Sequence, residues 1–209
     1  MASIDHIILG VADLDHGIEQ FERRTGVRPI YGGRHPTATH NALVSLGQGI
    51  YLEIIALQPG VVPPVEFAAL SLLTDLTPVG WAVASSDVAQ LRSALVGADL
   101  QVTEPEAGSR VTPSDDTLSW RTFRLQDNFR DAPFFIVWSA DSRHPSTTTP
   151  SGCTLQSMTI ASARSEELDR LCSVLELPVV VARSTASAVK LDLASPRGPV
   201  RFEFPPRRT

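Results

Sequence analysis

The sequence is poor in cysteine, in long apolar runs and in positive charge, and each shortage excludes a class of protein. Its two cysteines, Cys153 and Cys172, form no CxxC pair, which excludes a cysteine zinc site. No apolar run approaches the roughly 20 residues that cross a bilayer, so no membrane role is expected. The net charge of −5 offers no basic face to a nucleic acid. The GxSxG, P-loop and GxGxxG motifs are also missing.

The remaining composition is that of an ordinary globular protein. The 209 residues are 43% hydrophobic and 20% charged, close to the average for globular chains. A chain of this length buries a substantial core. The N-terminal residues carry no basic segment ahead of an apolar one, so no secretory signal is predicted and we expect a cytoplasmic protein.

An internal repeat organises the chain. Segments beginning at Ile4, Val79 and Leu155 share an apolar strand, a small or acidic cap, a one-sided helix and another strand, at nearly equal steps. In the first helix, Leu14, Ile18 and Phe21 form one apolar stripe. The predicted helix caps are Asp13, Ser86 and Ser165. The three predicted modules are residues 1–58, 77–142 and 153–205 of a single domain spanning residues 1–209.

Two further strand-like runs follow in every module, so each is predicted to be a βαβββ unit. Such a unit leaves a free sheet edge and an apolar concave face, so units pair. The predicted fold class is therefore α+β, with repeated βαβββ modules forming curved, partly closed barrel sheets and helices outside. Because three is an odd number, the third module either pairs across a homodimer or packs as a lid, and the sequence does not decide between them.

The repeat and three segments, residues 4–15, 32–59 and 133–160, resemble the vicinal oxygen chelate superfamily, in its glyoxalase-like branch. The run from His35 to Glu53 is the most specific part. The resemblance implies a cavity between paired sheets that takes a small-molecule ligand. In metal-dependent members a divalent ion is held by His and Glu side chains of the first and last strands, and stabilises an enolate or oxyanion.

His6 and Glu53 occupy those two strand positions in the first module. By the two-residue period of a strand, His6 lies on one face with Ile4 and Ile8. Glu53 stands inside the apolar run YLEIIAL, where a buried charge needs a partner. Two interpretations are open. Either the pair contacts a metal or substrate, or a His–Glu hydrogen bond braces the barrel.

The other modules do not complete a metal site. The position matching His6 in the second module is near Trp81, and that matching Glu53 falls near Ile136 or Val137. The third module offers Ser157 and Glu203 at those places. Because a catalytic divalent ion ordinarily has about three protein ligands, a conventional site is incomplete here.

His40 is the candidate that completes a ligand set, because it begins a strand beside the barrel opening. A His6, His40 and Glu53 set suits zinc, iron, manganese or nickel, and the alternative is that no metal is bound. His35 and Asn41 lie beside His40 and are predicted to bind substrate. The competing interpretation makes His35 part of a turn and His40 a structural residue at the strand start.

Three residues of the second module and the loop that follows it complete the predicted substrate-binding set. His144 lies in a polar loop over the cavity and is suited to donate a hydrogen bond to a ligand carboxylate or phosphate, although a surface turn explains it equally well. Trp81 and Trp138 offer aromatic faces, although such residues more often belong to the core.

Three functions follow from these residues. The favoured one is a glyoxalase-like small-molecule enzyme, a lyase or isomerase, with Glu53 as general base and His6 and His40 as metal ligands or proton carriers. The second is a non-catalytic protein of the same fold that binds an apolar or aromatic small molecule. The third is an oligomeric scaffold with a vestigial cavity.

Overall fold

The fold is described from a computed structural model, which covers residues 2–36, 38–113 and 115–205. The strands are β1 (Ser3–Gly10), β2 (Ile30–Arg34), β3 (Thr39–Gly47), β4 (Ile50–Leu57), β5 (Thr77–Ala84), β6 (Glu106–Val111), β7 (Thr117–Phe123), β8 (Phe134–Trp138), β9 (Thr154–Ser162), β10 (Val180–Arg183), β11 (Ala188–Ala194) and β12 (Val200–Phe204). The helices are α1 (Leu14–Thr25), α2 (Val88–Gly97), α3 (Pro145–Thr148) and α4 (Ser165–Val174), with a 3₁₀ helix at Val65–Leu72.

The first two modules share one curved, 8-stranded sheet in the order β2-β3-β4-β1-β5-β8-β7-β6. In each half the first strand lies parallel to the last, and the antiparallel pair β1–β5 joins the halves. The edge strands β2 and β6 then meet, where Arg110 of β6 donates a hydrogen bond to the carbonyl of Gly32 in β2. The sheet is therefore nearly closed, which confirms the predicted α+β fold class.

The helix ends follow local capping chemistry. The Asp13 side chain accepts the backbone N–H of His16 at the start of α1, as predicted, because the first backbone donors of a helix have no partner within it. In α2 the cap is Asp87, one residue after the predicted Ser86, and it accepts from Gln90. Helix α4 begins after Arg164, without a side-chain cap, so the predicted cap at Ser165 is wrong. None of the helices in the described ranges has the length and apolar character needed to cross a membrane.

The third module forms a separate 4-stranded sheet whose order, β10-β9-β11-β12, differs from that of the other two. Its first strand, β9, lies between β10 and β11, and β12 is an edge strand. Ser157 and Glu203, the predicted counterparts of His6 and Glu53, are therefore not on neighbouring strands. Ser157 instead donates a 2.9 Å hydrogen bond to Asp192.

An aromatic contact joins the second sheet to the first module. Phe202 of β12 stacks on Phe21 of α1 with 5.7 Å between ring centroids, and both side chains are buried. We expect Phe202→Ala to lower the free energy of unfolding by about 3 to 5 kcal/mol, because it removes a buried ring and leaves a cavity. Urea unfolding measures this. Val180→Ala, at an exposed position of the same sheet, is the control and is expected to change the value by less than about 0.5 kcal/mol.

Candidate functional site

The concave face of the sheet carries a polar group between β1, β3 and β4. Glu53 is only 6% exposed. Its Oε1 accepts a 2.6 Å hydrogen bond from Nδ2 of Asn41, and its Oε2 lies 3.7 Å from Nε2 of His6. Nε2 of His35 lies 3.7 Å from Oε1. These four residues, His6, His35, Asn41 and Glu53, are called the polar cluster below.

His6 is held by its neighbour in sequence, Asp5. Nδ1 of His6 lies 2.6 Å from Oδ1 of Asp5, whose other oxygen accepts from Nε1 of Trp138 at 3.0 Å and from Nε2 of His144 at 2.9 Å. Burial raises the pKa of Asp5, but the hydrogen bonds from His144 and His6 outweigh it, and the net pKa lies well below the ordinary value. Asp5 is therefore a carboxylate that accepts a hydrogen bond from the Nδ1–H group of His6. The other ring nitrogen of His6, Nε2, then faces Glu53.

The register of β1 explains how two consecutive side chains meet. Between Ile4 and His6 the pairing of β1 with β5 shifts. Such an irregularity re-aims side chains out of the strict alternation of a strand. The His6 ring is fixed on its other sides by Tyr51, stacked at 4.6 Å between centroids, and by the edge of Phe134 at 5.4 Å.

His35 continues the polar cluster toward the surface. Its Nε2 lies 3.3 Å from the Nδ2 group of Asn41, and its Nδ1 lies 2.9 Å from the hydroxyl of Thr39. Burial lowers the pKa of His35, which favours a neutral ring. A neutral ring with its proton on Nδ1 donates to Thr39 and accepts from Asn41. Thr39, His35, Asn41 and Glu53 thus form one hydrogen-bonded chain.

His40 lies outside the polar cluster. In the register of β3 against β4, Asn41 pairs with Ile55 and so shares the face of Glu53, whereas His40 projects to the opposite face. The His40 ring packs 6.2 Å from that of Tyr31. Burial lowers its pKa, as does the charge of Arg34. The prediction that His40 lies beside His6 and Glu53 is therefore wrong. The next residue, Asn41, occupies that place and contacts Glu53.

The polar cluster does not fit a divalent metal ion. Within residues 2–36, 38–113 and 115–205, no three His, Cys, Asp or Glu side chains are arranged to hold one. The amide hydrogens of Asn41 point between His35 and Glu53, and hydrogen-bond donors repel a cation. The predicted His6, His40 and Glu53 ligand set for zinc, iron, manganese or nickel is thus not formed in the part of the chain that the structure describes.

An apolar chamber of about 420 Å³ adjoins the polar cluster. Its walls include Ile8 and Ile55, each two residues beyond His6 and Glu53 on the same strand face. Phe134, which touches the His6 ring, and Leu70 of the 3₁₀ helix also line it. A chamber of this size and apolar character suits the body of a small organic molecule.

Trp81, Trp138 and His144, which were predicted to bind substrate, each form a hydrogen bond within the protein. Trp81 lines the apolar chamber, and its indole N–H donates to the carbonyl of Asp131 at 3.0 Å. Trp138 and His144 converge on Asp5, as described above. Asp5 itself was missed by sequence reasoning, although an acid inside an apolar strand is the same signal that identified Glu53.

A glycine makes room for the polar cluster. A Cβ at Gly32 would lie 2.4 Å from Oδ1 of Asn41, far inside contact distance. We expect Gly32→Ala to displace Asn41 and to lower the free energy of unfolding by about 1 to 3 kcal/mol, as measured by urea unfolding. Gly97→Ala is the control, because a Cβ there meets open space, and it is expected to cause no loss. Equal effects of the two changes would contradict the prediction.

Two paired β-α-β-β-β units in one curved sheet, with an acid and a histidine on the concave face, define the glyoxalase-like class of the vicinal oxygen chelate superfamily. The chain belongs to this class: the glyoxalase-like domain family matches residues 4–175. Comparison with curated proteins gives no match.

Solved structures share the fold at low sequence identity. A hypothetical protein from Staphylococcus aureus is 16% identical and has a TM-score of 0.66, with 97% of this chain and 85% of that chain covered. The Mn(II)-bound glyoxalase from Novosphingobium aromaticivorans is 10% identical and has a TM-score of 0.51, with 96% and 81% covered. At such identities the likeness shows the fold alone.

Proposed function

We propose that this chain is a small-molecule enzyme of lyase or isomerase type that moves a proton at a carbon next to a carbonyl group. The observation that carries the proposal is the 3.7 Å approach of His6 Nε2 to Glu53 Oε2, beside an apolar chamber. Two proton-transferring groups at one buried point supply a base that takes the proton and an acid that returns one.

The contacts of Glu53 and His6 suggest a separate role for each side chain. Asn41 holds Oε1 of Glu53, which leaves Oε2 to take a proton from the substrate carbon while the bonding electrons move onto the carbonyl oxygen. His6, oriented by Asp5, accepts that proton through Nε2 and returns a proton to the product. The apolar chamber holds the rest of the substrate and excludes water.

His35, Asn41 and Trp81 are proposed to position the substrate, since all three lie in the polar cluster or the apolar chamber. His144 and Trp138 are proposed to act through Asp5.

The second candidate function is a binding protein without catalysis. The absence of a metal-ligand set from the described residues favours that alternative, because some reactions of this superfamily depend on a metal.

Proton exchange tests the proposal. Phenylpyruvate carries exchangeable protons next to a carbonyl, so the wild-type protein is expected to accelerate their replacement by deuterium in D₂O, as followed by proton NMR. His6→Gln is expected to slow the acceleration by about a hundredfold, and His16→Gln, on the exposed face of α1, to leave it unchanged. Saturable binding of phenylpyruvate without exchange would establish the binding protein instead.

A further inference from the structure

Arg110 of β6 is a buried cation with unused hydrogen-bonding capacity. The residue is only 7% exposed, and its Nη1 donates to the carbonyl of Gly32. A guanidinium has five N–H donors, and this is the single acceptor it meets among the residues that the structure describes. Within the same ranges it forms no salt bridge. No Arg110 nitrogen in the described ranges is both fully buried and without a partner, so its remaining N–H groups face open space.

Two cavities open at the guanidinium, on either side of the seam where β2 meets β6. One has a volume of about 660 Å³ and is also lined by His35 of the polar cluster. The other has a volume of about 600 Å³. Arg110 lines both, so its remaining donors are within reach of a molecule in the seam. These two spaces are called the seam cavities below.

The backbone at the seam is shaped around this side chain. Gly33 has a φ of 141°, which other residues rarely adopt. A Cβ there would lie 3.2 Å from Nη1 of Arg110 and 2.8 Å from the carbonyl oxygen of Val111. Glycine is therefore required for β2 to approach β6 while the guanidinium stays beside the seam cavities.

Glu53 acts on Arg110 by charge but does not occupy its N–H donors. Burial lowers its pKa, and the carboxylate of Glu53 opposes this effect. Glu53 is close enough to interact by charge, yet its oxygens face Asn41 and His6. An arginine remains protonated in proteins, so the positive charge is available to a ligand.

We propose that Arg110 binds an oxyanion of the substrate, a carboxylate or a phosphate, in the seam cavities. The inference rests on the proposed function in taking the bound molecule to be the substrate of Glu53 and His6. The planar fork of a guanidinium matches two oxygens of one carboxylate or phosphate. The substrate class is thus a carbonyl compound that carries an anionic group near its reacting carbon.

Titration of the wild-type protein tests the site without any risk of misfolding. Protein with ¹⁵N-labelled arginine is titrated with phenylpyruvate, phenyl phosphate and the uncharged methyl ester of phenylpyruvate, and the Nε–Hε signals are recorded by NMR. Arg110 is assigned by the signal lost in Arg110→Lys. We expect the anions, but not the ester, to shift the Arg110 signal saturably. A response to phenylpyruvate identifies a carboxylate site, and one to phenyl phosphate alone a phosphate site.

Variants then measure the contribution of the side chain. Arg110→Gln is expected to weaken binding of the responding anion by about tenfold to a hundredfold, with the ester unaffected. Arg121→Gln, an exposed arginine on the adjacent strand β7, is expected to change neither affinity. An unshifted Arg110 signal with both anions, or an equal shift with the ester, would overturn the inference. The NMR shifts and the affinities measure binding alone, so they are independent of the proton-exchange assay. If the wild-type protein bound the anion but did not accelerate exchange, only the catalytic proposal would be refuted.

Discussion

Glu53→Gln is expected to slow the enzyme-dependent exchange of phenylpyruvate protons by about a thousandfold, within the usual range for removal of a general base. Glutamine keeps the shape of the side chain and still accepts from Asn41 through its amide oxygen. Its NH₂ group then faces Nε2 of His6 and is unable to take a proton from carbon. The initial rate of deuterium incorporation, followed by NMR, measures the effect.

Two further variants make this result specific. Glu53→Asp keeps the carboxylate but shortens the side chain, so it is expected to retain partial exchange. Glu19→Gln removes a carboxylate from the exposed face of α1 and is expected to leave the rate unchanged. If Glu53→Gln retained the wild-type rate while phenylpyruvate still bound, Glu53 would not be the base.

Asp5→Asn is expected to cause the second large effect, a loss of about 3 kcal/mol in the free energy of unfolding at neutral pH. Asp5 is 1% exposed and its two oxygens accept from three N–H groups, on His6, Trp138 and His144. Asparagine has one acceptor oxygen, so its NH₂ group opposes a buried donor. Urea unfolding measures the loss, and exchange is also expected to fall because His6 loses its orientation.

The stability that Asp5 contributes depends on pH in a defined direction. Its pKa is lower in the folded protein than in the unfolded chain, so the contribution is complete above the unfolded value of about 4. It is lost as the pH falls below that value toward the folded pKa. The difference between wild type and Asp5→Asn is therefore expected to shrink below about pH 4. Asp169→Asn, at an exposed position of α4, serves as control, and an Asp5 difference constant with pH would contradict the assignment.

The fold class was predictable from local spacing, and the approach of His6 to Glu53 from the resemblance to the glyoxalase-like branch, which places the two residues on the first and last strands of one module. The periods of apolar residues and the turn residues between them predict the β-α-β-β-β order. His6 and Glu53 each interrupt an apolar strand. Strand order in the third module was not predictable, because the same run of elements pairs as β10-β9-β11-β12 without any change in periodicity.

The remaining parts of the site depend on features that single-residue patterns do not show. His40 and Asn41 lie on opposite faces of β3, and the register of β3 against β4 decides which of them shares the face of Glu53. Asp5 reaches His6 through a register shift against a strand far along the chain. Arg110 acquires its position only when the edges β2 and β6 meet, which is a property of the closed sheet.

The most direct measurement of joint action by His6 and Glu53 on one bound molecule is a double-mutant cycle for proton exchange. The exchange rates of His6→Gln, Glu53→Gln and the double variant are compared with that of the wild type, at phenylpyruvate concentrations that saturate each protein. We expect the double variant to be no slower than the slower single variant, because groups that act as one unit are not additive. Losses that multiply in the double variant would show that the two residues act independently and would contradict a shared site.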